Sequence, residues 1–87
     1  MTYGPFVDGC DPALRGIYLA ELRALCRVLV GPAASEAVKA LSSALDAPSD
    51  DSRLAQAREA VNAIPPVPRR RILASFAALR REVADAI

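Results

Sequence analysis

An all-α fold, a small bundle of four helices, is predicted for this chain from three observations. Apolar residues recur at spacings of three and four in the long segments, no segment alternates with a period of two, and Asp-Pro, Gly-Pro and Pro-rich breaks divide the chain. Its 87 residues, without a low-complexity run or internal repeat, correspond to a single domain. That length is near the lower limit at which one core suffices without metal or disulfide support.

Residues 1–10 mix Gly, Pro and aromatics without periodicity and read as an N-terminal arm, with Tyr3, Phe6 and Val7 available to cover apolar surface. Asp11-Pro12 is a helix start, Asp as N-cap and Pro at the first helical position, and Gly31-Pro32 is a break. The first helix is therefore placed over about 12–29. A second, over 33–46, is carried by Ala34, Val38, Leu41 and Leu45. The turn Ala47-Pro48-Ser49-Asp50-Asp51 supplies acids to the N-terminus of a third helix over 51–64, with Leu54, Ala57, Val61 and Ile64 on its apolar side. The fourth, over 68–86, follows the Pro65-Pro66-Val67-Pro68 connector and aligns Ile72, Phe76, Leu79, Val83 and Ile87.

The apolar residues are unevenly shared. Alanine fills much of the second and third helices, whereas the first carries Leu14, Ile17, Tyr18, Leu19, Leu22, Leu25, Val28, Leu29 and Val30. At 100° per residue these exceed the roughly 100° stripe of an ordinary surface helix. The first helix is therefore either central in its own fold or shared with a second chain, and for the second case Leu19, Cys26 and Val30 are the expected interface. Twofold pairing is the commonest symmetry for such an assembly.

Charge is patterned although the formal net charge is only +1. Segment 31–52 sets Glu36, Asp46, Asp50 and Asp51 against Lys39, and segment 69–87 sets five arginines against Glu82 and Asp85. The cluster Arg69, Arg70, Arg71 falls at the start of the fourth helix, where the macrodipole is already positive. Either the acids of 46–51 answer it inside the fold, or it opens to solvent beside Arg15, Arg23 and Arg27, taken as a polar arc of the first helix, and forms a site for an anion or an acidic partner. Glu21, surrounded at helical spacing by Ile17, Tyr18, Ala24 and Leu25, needs an arginine, a tyrosine hydroxyl or the rim of an interface, and a salt bridge to Arg69 or Arg80 is the leading expectation.

Several chemistries are excluded. Without histidine the chain cannot build a Ser-His or Cys-His pair, and two cysteines alone make a poor zinc site. No catalytic residue, metal site or cofactor is assigned. Cys10 and Cys26 are expected as free thiols: Cys26 lies 14 residues along a helix that starts near Pro12, roughly 21 Å away and far beyond disulfide reach, so only a folded-back N-terminal arm or a second chain would bring the two sulfurs together. Pro65-Pro66-Val67-Pro68-Arg69-Arg70 fits a P-x-x-P-x-R pattern but, lying between two helices, is read as a spacer. No apolar run is long enough to span a bilayer and no signal segment is evident, so a cytoplasmic protein without membrane contact is expected.

The sequence thus points to a non-enzymatic protein–protein interaction module or small accessory subunit, self-associating through the first helix as a homodimer. The alternative is a helical nucleic-acid-binding regulator using the arginine face. Against it, a recognition helix over 51–64 would carry Asp50 and Asp51 toward phosphates, and no aromatic stacking platform accompanies the arginines.

Overall fold

The computed structural model describes residues 4–6 and 11–86, with side chains as far as Leu79. A 3-10 turn at Gly4–Phe6 precedes four helices: α1 (Pro12–Leu29), α2 (Ser35–Asp46), α3 (Asp51–Asn62) and α4 (Pro66–Ala86). A second 3-10 turn, Gly31–Ala34, joins α1 to α2. No strand occurs among the described residues, and the chain is an all-α bundle of four helices.

Two helices, α1 and α3, begin where a side chain accepts from their first orphan N–H groups. The Asp11 side chain accepts from the Ala13 N–H at 2.8 Å and Pro12 occupies the first turn of α1. Asp50 does the same for α3, accepting from the N–H groups of Ser52 at 3.0 Å and Arg53 at 3.2 Å. Gly31 ends α1 with a φ of +72°, and a Cβ built there would meet nothing within 4 Å. The glycine is needed for backbone freedom and not for space.

Three boundaries differ from expectation. α2 starts at Ser35, because Gly31–Ala34 takes the tighter 3-10 form around the corner. α3 ends at Asn62, where the Ile64 N–H turns back to the Val61 carbonyl at 3.2 Å. α4 starts at Pro66, two residues early: the Arg69 N–H donates to the Pro65 carbonyl at 3.0 Å, which closes the first turn over Pro66, Val67 and Pro68. Prolines are tolerated there because the first N–H groups of a helix have no intrahelical acceptor in any case.

α1 is central. It packs against α2 on one side and α4 on another, α3 packs on α2, and the 4–6 turn lies against α1 and α3. Arg15 of α1 reaches Pro48 while Arg23 reaches Ser42, so α1 and α2 run antiparallel. Leu19, Leu22 and Cys26 of α1, Leu41 of α2, Val61 of α3 and Ile72 of α4 are fully buried, each large aliphatic contributing roughly 1.5 to 3 kcal/mol. Ala34, Ala37, Ala44 and Ala57 fill the spaces between them and keep the helices close. Tyr18 and Phe76 lock α1 to α4 in an edge-to-face contact, with centroids 5.7 Å apart. The radius of gyration, 12.1 Å, is that of a well-packed chain of this length.

Of the N-terminal arm, Phe6 is buried as expected of a residue that covers apolar surface. Tyr3, Val7 and Cys10 lie outside the described residues.

Candidate interaction surfaces

The arginines divide into struts and free cations. Arg15 donates from Nε to the Pro5 carbonyl at 2.9 Å and from Nη1 to the Pro48 carbonyl at 3.4 Å, tying the N-terminal turn and the α2–α3 loop to α1. Arg23 donates to Ser42 Oγ at 3.3 Å. Arg53 donates to the Ser43 carbonyl at 3.2 Å and pairs with Asp50 at 3.6 Å, an exposed contact of small energetic value. Arg69 donates to the Asn62 carbonyl at 2.6 Å and the Ile64 carbonyl at 3.5 Å. It is thus a cap on the C-terminus of α3, where carbonyls lack intrahelical donors and the macrodipole is negative.

This arrangement overturns two expectations. Arg69 faces neither the acids of 46–51 nor open solvent, but backbone carbonyls, which leave no charge-pair signature in a sequence. The six-arginine patch is also not continuous: Arg15 sits at the N-terminal end of α3 and Arg69 at its C-terminal end, about 18 Å apart along a 12-residue helix. Arg27, Arg70 and Arg71 are the members that remain exposed. Nor does Arg15 lie on a polar arc. It precedes Leu19, Leu22 and Cys26 by 4, 7 and 11 residues and so points along the buried stripe, a spacing that was readable in the sequence.

The expected interface also changes. Leu19 and Cys26 are fully buried by their own chain, so they are core residues and not contacts for a second one; Val30 is half-buried against the same core. Burial pushes the Cys26 thiol up to about 11, so it is a neutral, unreactive group at ordinary pH, and it forms no disulfide. The exposed apolar residues of α1 are others: Leu14 at 45%, Ile17 at 50% and Val28 at 80% exposure. With Glu21 and Ala24 they fall at positions 14, 17, 21, 24 and 28, the alternating three-and-four spacing of a helix-pairing seam.

Glu21 is half-buried in the middle of that seam, with its Oε2 atom shielded from solvent. Of the two cations expected beside it, Arg69 is committed to the end of α3. The side chain of Arg80 lies outside the described residues.

A cavity of about 240 Å³ opens where the 4–6 turn, the first turns of α1 and the N-terminal half of α3 meet. Arg15, Asp51 and Arg58 line it together with Pro5, Phe6, Leu54 and Ala55. Arg58 is not among the site residues expected from the sequence, although its seven-residue spacing from Asp51 places both on one helix face. Among the described residues no group of three metal-ligating side chains is placed to hold an ion. No described helix is long and apolar enough to cross a membrane.

No protein-family model matches the chain, and no match is found among curated proteins or solved structures.

Proposed function

We propose that this chain is a cytoplasmic, non-enzymatic interaction module that associates with a second copy of itself through the outward seam of α1. One observation carries the proposal: Leu14, Ile17 and Val28 recur at helix-pairing spacing on the central helix and are left 45%, 50% and 80% exposed. Single exposed apolar residues are ordinary on a protein surface, but three aligned on one face make a strip that association would remove from water. The alanine at position 24 lets a partner helix approach closely. The surface is short, one face of an 18-residue helix, so the association is weak and depends on concentration.

Sedimentation over a range of micromolar concentrations tests this. A monomer–dimer equilibrium that disappears in an Ile17→Asp, Val28→Asp double variant of unchanged helicity is the expected result. A chain that remains monomeric at the highest concentration reached overturns it. The nucleic-acid alternative has less support, because Arg15, Arg23 and Arg69 are already engaged within the fold and only Arg27, Arg70 and Arg71 of the six remain exposed.

A further inference from the structure

The outward seam of α1 is uneven from end to end. Its first half carries the bulky Leu14 and Ile17, its second half the smaller Ala24 and Val28, and all four residues are exposed. Two parallel copies would set bulk against bulk at one end and alanine against alanine at the other, leaving a gap where close packing is needed. Reversing one copy about Glu21 does the opposite. Ile17 then falls against Ala24 of the second copy and Leu14 against its Val28, so the pair keeps one width throughout. Glu21 meets its own counterpart in either direction and does not choose between them.

The bundle is also polar along α1. Arg15 reaches the Pro48 carbonyl, so the start of α1 lies beside the α2–α3 loop and the start of α3. Among the described side chains that end holds Asp11, Asp46, Asp50 and Asp51 against Arg15 and Arg53. Arg69 on the Asn62 carbonyl places the start of α4 at the end of α3, away from the start of α1, so α4 runs antiparallel to α1. The exposed Arg27, Arg70 and Arg71 therefore gather with Lys39 at the opposite end, against Glu36 and Glu59. The last turns of α4 return to the acidic end with Arg80 and Arg81 against Glu82 and Asp85, which leaves its balance unchanged. Both members of a pair are counted at each end, so the contrast does not depend on which neighbour a group engages.

We propose that the two α1 helices of the dimer pair antiparallel about a twofold axis at Glu21, with the arginine end of each copy beside the acidic end of the other. The inference rests on self-association through this seam and adds its direction. Side-chain size and charge select the same orientation independently, and a twofold axis closes the pair.

Mild oxidation of Leu14→Cys and Val28→Cys variants, separately and mixed, in a Cys10→Ser background, tests the direction, with sedimentation of the same samples before oxidation. Cys26 is buried and its thiol neutral, so it takes no part. In the antiparallel pair two copies of position 14 lie about 21 Å apart along the axis, as do two copies of position 28, well beyond disulfide reach. A disulfide-linked dimer in the mixture, and little in either variant alone, is the expected result. Same-site disulfides in the separate variants, or a sedimenting dimer that forms no disulfide in the mixture, would overturn the antiparallel direction and leave self-association standing. A chain that sediments as a monomer throughout overturns both.

Discussion

The two sides of α1 are built from the same kinds of residue and meet opposite fates. Inward, Leu19, Leu22 and Cys26 are sealed by α2, α4 and the rest of the core; outward, Leu14, Ile17 and Val28 stand in water. Residue type does not separate the two sides. What separates them is the supply of covering surface: an 87-residue chain with three other helices can enclose only part of a helix that is apolar around most of its circumference. Burial is decided by the neighbours available, and the remainder of the apolar surface is where function is to be sought.

The difference can be tested by substituting equivalent residues on the two sides. Leu22→Ala removes a fully buried side chain and is expected to cost about 2 to 5 kcal/mol in denaturant unfolding, enough to threaten so small a domain. Should it cost less than 1 kcal/mol, by the same scale, the core does not centre on α1.

Alkaline pH probes the same side without changing its volume. The Cys26 pKa is raised from 9.0 to about 11 in the folded protein, so the stability gained by keeping the thiol neutral is complete below pH 9 and is lost as pH rises toward 11. The loss is on the order of 2 kcal/mol. A Cys26→Ala variant, less stable throughout, lacks that step; an identical alkaline fall in both proteins would place its origin elsewhere.

Arg69→Met keeps much of the side-chain length but removes the donor to the Asn62 and Ile64 carbonyls. A loss of about 1 to 2 kcal/mol is expected, measured by thermal unfolding, and most of it should be insensitive to salt because the acceptors are uncharged. The smallest effect belongs to the outward side. Val28→Ser should change monomer stability by no more than about 0.5 kcal/mol while weakening self-association.

The punctuation of the fold was legible in the sequence because it rests on local chemistry. Asp11-Pro12, Gly31-Pro32 and Asp50 act within a few residues of themselves, and the helices they delimit lie where expected to within two residues at each end. The early start of α4 was missed because two prolines after Ile64 look like a linker, although a first helical turn needs no N–H donors. The candidate surfaces were less legible. On α1 the apolar periodicity names a helix but no single direction, so it does not separate Leu19 and Cys26, which are buried, from Leu14, Ile17 and Val28, which are exposed. The place of Arg69 is hidden for another reason: charge counting looks for acids, whereas Arg69 donates to carbonyls, which every residue carries. Arg58 and its cavity depend on the 4–6 turn folding back on α3, a contact that no spacing within α3 reveals.

The seating of α4 on α1 also shapes how the chain acquires and loses its structure. The antiparallel pair α1–α2 and the neighbouring α2–α3 join elements adjacent in sequence, whereas α4 must return across the two intervening helices to reach α1. Closing that larger loop costs more chain entropy and comes later than the local pairings. Detachment of α4 is accordingly the natural first step of partial unfolding, and it uncovers the ring of Tyr18 and the buried side of Ile72 while the first three helices remain paired. Amide exchange should therefore be faster in the C-terminal helix than in Leu19 to Cys26, giving the bundle a hinged outer wall around a slowly exchanging centre.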